Sequence, residues 1–226
     1  MIIKYSSKQI VEMCENAAKD MNSFYKQNFI NYRGKTEDNR YYTEVIAEWL
    51  LNHLDKFSEI QQIERKDYKT KNHDGKINRV TNRKEEITAK NLFNTRIDYK
   101  GFGSIIDYQT PLKKVKRDNG VGKIDLLSVN DKMKCVYILE LKKEDSKETM
   151  LRCVLEAYTY KRIVSKKNLF ASFDIKDDYE LKASPLVYVN SVQYKEFFDN
   201  NNHRKLRELM EKLDSTPFFI DENVTY

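Results

Sequence analysis

The order of apolar segments along this 226-residue chain predicts a mixed-sheet α/β fold. Three observations lead to it. Two amphipathic helical stretches open the chain, the apolar pattern shifts to short strand-like runs from Gly101 onward, and those runs then alternate with helices to the C-terminus. A chain of this length suffices for one α/β domain with a proper core, and one domain over 1–226 is expected.

Residues 7–28 place Ile10, Val11, Cys14, Ala17, Ala18, Met21 and Phe24 at three-and-four spacing, with Ser6 or Ser7 as the cap, and so read as a first helix. Val45, Ile46, Trp49, Leu50 and Leu54 form the stripe of a second over 40–55. The stretch 65–79 is polar and basic, and its Asn72-His-Asp-Gly75 run has the chemistry of a turn or mobile loop. A third helix fits 80–93. Strands are expected at 104–109, closed by Pro111, at 123–129, closed by Asn130-Asp131, and at 134–142, the last two forming a hairpin. A helix at 147–163 follows, with Asp145 and Glu148 at capping-box spacing and Leu151, Val154, Leu155 and Tyr158 on its buried stripe. A strand at 184–190, a helix near 191–213 and a closing strand at 217–220 complete the series.

Composition narrows the function classes. A 34% charged and 12% aromatic chain is globular rather than disordered. The longest apolar run, Cys135 to Leu139, falls far short of the roughly 20 residues that a membrane helix needs, and the N-terminus lacks a signal-peptide core, so a cytoplasmic protein without membrane partners is expected. Cys14, Cys135 and Cys153 are an odd set without metal-ligand spacing and read as buried free thiols. From Glu64 to Lys123 sixteen Lys or Arg stand against eight Asp or Glu, an excess that suits a phosphate backbone, although a solvated lysine-rich face is the plainer alternative. Lys113, Lys114, Lys116, Arg117 and Lys123 are its candidate nucleic-acid contacts.

The strand that ends Glu140-Leu-Lys142 is apolar on both faces until these two residues, which share a face because side chains alternate along a strand. Such a pair is costly to bury unless it meets a metal, a substrate or its own partner. Asp125 is the same anomaly on the preceding strand, and the short turn at 130–133 would bring it beside Glu140. Two carboxylates suit Mg²⁺, with waters and a substrate phosphate completing its shell, while Lys142 would position water or stabilise developing charge. The reaction class is phosphodiester hydrolysis.

Gly122-Lys-Ile-Asp125, followed after fourteen intervening residues by Glu140-Leu-Lys142 at the end of an apolar strand, resembles the D…E-x-K signature of the PD-(D/E)XK nuclease superfamily. Two other E-x-K copies, Glu64-Arg-Lys66 and Glu180-Leu-Lys182, lack both the preceding apolar strand and the acidic partner. The resemblance implies a restriction-endonuclease-like core over about 80–190, with a central mixed β-sheet flanked by helices. Extra N-terminal helices over 1–60 and a C-terminal helix and strand over 191–226 lie outside it. It implies cleavage of nucleic acid, with DNA placed ahead of RNA as the expected substrate, with Mg²⁺ or Mn²⁺ bound by Asp125, Glu140 and Leu141, and with Lys142 catalytic. Family members often add a Glu from the first core helix, for which Glu86 is chosen over Glu85, and a polar residue from the helix after E-x-K. Arg152 and Glu156 hold that last place, Glu156 where Gln is more usual. An i,i+4 ladder of Glu148, Arg152 and Glu156 is the structural alternative. Cleavage of both strands would favour a homodimer. The rival to the enzyme is a nuclease-fold protein that binds nucleic acid or a partner without cutting it.

Overall fold

The computed structural model describes residues 4–71, 73–76, 84–114 and 122–221. Helices α1 (Ser7–Ala17) and α2 (Tyr42–Leu51) come first, then α3 (Lys84–Asn94). Four strands follow in a meander: β1 (Asp98–Tyr99), β2 (Gly103–Pro111), β3 (Lys123–Asn130) and β4 (Cys135–Leu141). Helices α4 (Met150–Ile163) and α5 (Lys166–Ser172) lead to β5 (Glu180–Tyr188), and α6 (Val192–Phe198) and α7 (Arg204–Lys212) lead to β6 (Phe218–Ile220). The strands form one six-stranded mixed sheet in sequence order, antiparallel through β4 and parallel from β4 to β6. This is the expected α/β class. No helix among the described residues is long and apolar enough to cross a membrane.

Every residue of β4 is buried, as a central strand covered on both faces requires. One face packs Val136 and Ile138 with α1, α2, α4 and α7 in a continuous apolar cluster. Tyr137, Leu139 and Leu141 face a smaller cluster with Ala89, Leu92 and Phe93 of α3. The first 60 residues therefore share their core with the sheet.

Several boundaries depart from the sequence reading for identifiable reasons. The first helix stops at Ala17, although Met21 and Phe24 continue the buried stripe as turns. There Asn22 exchanges hydrogen bonds with the backbone of Gln61, giving the chain an alternative to helix. The expected helix over 191–213 is two, because Asp199 accepts from the backbone and side chain of Asn202 and breaks the run. The strand expected from Ser184 starts at Glu180, so Glu180-Leu-Lys182 opens β5 rather than ending a strand, and Lys182 pairs with Asp214 at 3.1 Å. The 65–79 stretch is anchored where it is described: His73 lies 2.6 Å from Asp107, and Gly75 donates to the Tyr108 hydroxyl.

The correction at α4 bears on the site. The cap is Thr149 rather than Asp145: its hydroxyl accepts from Arg152 N at 3.1 Å and donates to Ile30 O at 2.8 Å, while its backbone N–H donates to Asn31 Oδ1. The N-terminal segment thus holds the start of α4. Replacing Thr149 by Ala removes both hydroxyl bonds at a fully buried position and is expected to cost about 1–3 kcal/mol, seen as a lower urea midpoint. An unchanged midpoint would show that α4 does not need this brace.

Candidate active site

The β3–β4 register pairs Leu126 with Leu139, so one step further Asp125 stands opposite Glu140. Asp125 Oδ2 accepts from Leu141 N at 3.1 Å and Oδ1 from Gln109 Nε2 at 2.9 Å, which fixes the carboxylate on the β3–β4 seam. Lys142, just past β4, donates to Glu140 Oε1 at 2.6 Å. The structure thus brings together the three residues on which the sequence reading rests.

Two further carboxylates complete the surroundings of Lys142. Glu148 Oε2 lies 2.8 Å from its ammonium and Glu156 Oε2 3.6 Å. Glu148 is free to do this because Thr149 caps α4. The ladder that was the structural alternative is half present: Arg152 Nε meets Glu156 at 3.3 Å, while Glu148 turns to Lys142 instead. Glu156 Oε1 also accepts from the Tyr160 hydroxyl at 2.8 Å, and the Tyr25 hydroxyl reaches Tyr160 at 3.4 Å. A Cβ at Gly122 would stand 2.0 Å from the Tyr160 hydroxyl, so glycine there leaves the tyrosine its place. The sequence reading missed Glu148, Tyr160, Tyr25 and Gln109 as members of the cluster. The spacing of Glu148 and Glu156 around Arg152 was the only local sign of any of them.

Glu86, the chosen α3 residue, forms an i,i+4 ion pair with Lys90 at 2.9 Å, and the charge of its neighbour Glu85 raises the Asp125 pKa. Arg152, a candidate nucleic-acid contact, is engaged internally, donating to Tyr25 O and lying 4.7 Å over the Tyr25 ring. Lys113 and Lys114 follow β2, and Lys123 pairs with Pro111 at the start of β3, so these lysines sit at the same end of the sheet as Asp125. Lys26 joins them, since its ammonium feels both Arg152 and Lys113. Lys116 and Arg117 lie outside the described residues.

The electrostatics follow from burial and crowding. Burial raises the Asp125 pKa to about 7, Lys142 opposing and Glu156 and Glu85 reinforcing the rise. Glu140 is pushed well above the usual carboxylate range by burial and by Asp125 and Glu156, which outweigh the pull of Lys142. Burial alone would lower Lys142, but Glu140, Cys153, Glu156 and Glu148 raise it well above an ordinary lysine, so it stays an ammonium. Burial also works against the charge of Glu156, yet Lys142, Arg152 and the Tyr160 hydroxyl hold its pKa low. Glu156 is the anchored anion, whereas at Asp125 and Glu140 burial and crowding outweigh Lys142.

No group of three or more His, Cys, Asp or Glu among the described residues is arranged to hold a metal ion. What the seam offers is two carboxylates and the carbonyl of Leu141, all oxygen donors of the kind a hard divalent cation takes, with room in its shell for water. Burial and crowding raise the pKa values of both carboxylates despite the pull of Lys142, and their oxygens are donors of the type that such a cation would take.

Because folded Asp125 binds its proton up to about pH 7 against an ordinary 3.8, stability falls as pH rises through that window and the cost persists above it. Asp125→Asn is expected to be more stable than the parent at pH 8 by about 1–3 kcal/mol, with the difference gone by pH 4 in chelator-treated protein. A difference independent of pH would remove the electrostatic explanation. Compared with protein-family models, curated proteins and solved structures, the chain matches none of them.

Proposed function

We propose that this chain is a divalent-metal-dependent nuclease of the PD-(D/E)XK type that hydrolyses phosphodiester bonds, DNA in preference to RNA. The observation that carries the reading is the charge balance at the buried end of β3 and β4. Among the described residues, Asp125, Glu140, Glu148 and Glu156 there meet only the cations of Lys142 and Arg152 at ion-pair distance. Four carboxyl groups beside two cations, with Asp125 and Glu140 holding protons for want of enough positive charge, suit one divalent cation that would take the place of those protons.

Asp125 and Glu140, with the Leu141 carbonyl, would hold Mg²⁺ or Mn²⁺, which when bound polarises the scissile phosphate and acidifies a water ligand. Lys142 has a narrower role. An ammonium kept charged by Glu148 and Glu156 donates hydrogen bonds rather than removing a proton, so it orients the attacking water or neutralises charge growing on the phosphate. Glu156 and Tyr160 position Lys142 without touching substrate. Lys26, Lys113, Lys114 and Lys123 give the nucleic-acid backbone a cationic approach to this end of the sheet.

Plasmid, linear duplex, single-stranded DNA and RNA, each with Mg²⁺, Mn²⁺ or chelator, test the reading. Cleavage is expected only with metal, and Lys142→Ala is expected to lower it at least about a hundredfold while keeping a cooperative unfolding transition at a lower midpoint, since Glu140, Glu148 and Glu156 lose their shared cation. Survival of every substrate would favour a binding protein instead. Lys113→Ala with Lys114→Ala is expected to reduce the slope of log affinity against log salt by roughly 0.9 for each phosphate that the protein no longer neutralises. An unchanged slope would turn these lysines away from the substrate.

A further inference from the structure

A cavity of about 570 Å³ lies at the other end of β2 and β3, bordered by Ser104 and Val129. Val129 is four residues along β3 from Asp125, which is about 13 Å at the rise of a strand. The far wall is the segment after α5, so the cavity and the carboxylate cluster share the sheet face covered by α4 and α5. Its size is that of a small-molecule site.

The cavity contains a fixed His–Asp pair that phosphodiester hydrolysis at Asp125 does not use. Asp107 is 3% exposed, and both its oxygens are occupied: His73 Nδ1 lies 2.6 Å from Oδ1, and Thr110 Oγ1 donates to Oδ2 at 2.6 Å. An ionised carboxylate only accepts, so Nδ1 carries the hydrogen and Nε2 is the remaining polar atom of the ring. The imidazole is also stacked on Tyr108, centroids 4.6 Å apart and planes 21° from parallel. His73 is thus held in place and in tautomer, as a recognition group is.

Across the cavity Phe173 and Tyr179 present partly exposed rings, Tyr179 held by its hydroxyl bond to Asp131 at 2.7 Å. Lys69 and Lys176 are offset by Asp131 and Asp174, so the lining does not select an anion. Aromatic faces, one oriented edge group and nearly balanced charge suit a neutral planar heterocycle with both donors and acceptors. We propose that this cavity takes one unstacked nucleobase of the strand being cut, stacked against Phe173 or Tyr179 and read at its edge by His73 Nε2. The assignment rests on the nuclease reading for its source of bases. At 3.4 Å per nucleotide of a helical strand, the base read lies about four nucleotides from the scissile phosphate, fewer in an extended single strand.

Equilibrium dialysis of the four deoxynucleosides and of inorganic phosphate against the metal-free protein tests it apart from cleavage. At least one nucleoside is expected to bind and phosphate not to compete. Phe173→Leu keeps bulk without the ring, and His73→Asn keeps a donor toward Asp107 without Nε2; each is expected to weaken that nucleoside tenfold or more while its unfolding midpoint stays near the parent's. The same variants are expected to lower the 2-aminopurine signal of an oligonucleotide bound to the Lys142→Ala protein. Cleavage without nucleoside binding overturns the base pocket alone, and nucleoside binding without cleavage overturns the nuclease reading alone. Competition by phosphate, or equal binding by both variants, also overturns the pocket.

Discussion

The ammonium of Lys142 is the point on which this structure turns. Its side chain is 7% exposed, and a cation so buried persists only where the chain surrounds it with anions. Glu140 comes from β4 itself, Glu148 from the segment before α4, and Glu156 from two turns within α4. These ion pairs therefore fix α4 to the end of the central strand. Because Ile30, Asn31 and Tyr25 hold the first turns of α4 by their backbone or side-chain oxygens, the N-terminal segment contributes to the geometry of a site it does not enter.

That arrangement explains why carboxylates of similar surroundings behave differently. Glu156 is secured by two cations and a tyrosine hydroxyl and keeps its charge. Asp125 and Glu140 face one another across the seam, and the cation that acts on both is the one already shared among three acids. A Gln at 156 would leave Lys142 better able to offset Glu140. The acid there adds a negative charge beside the β3–β4 seam, which raises the pKa of both Asp125 and Glu140.

The sheet was legible because its signals are local. Apolar strands with charged ends and an Asn-Asp turn between them specify β3 and β4, and their register brings Asp125 opposite Glu140. The partners that the sequence hid are set by non-local contacts. Whether Glu85 or Glu86 turns toward the sheet depends on the rotation of α3, and adjacent helix positions differ by about 100°. Glu148 had a plausible local role as part of a cap, which the N-terminal segment took over through Thr149. Helix α5 is seven residues long, too short for a periodic stripe to show.

Tyr160 shows how the two kinds of information combine. In sequence it is one tyrosine of fifteen on a helix whose apolar stripe already accounts for it. In the fold its hydroxyl is buried among Tyr25, Glu156 and the position opposite Gly122, where no larger residue fits without displacing it. A phenol in such a place stays protonated, because burial and the charge of Glu156 both disfavour the phenolate. It therefore donates to Glu156 at every working pH and helps keep that carboxylate ionised, and an ionised Glu156 in turn favours the ammonium of Lys142. The glycine before β3, the tyrosine in α4 and the lysine after β4 thus belong to one arrangement, although 38 residues separate the first from the second.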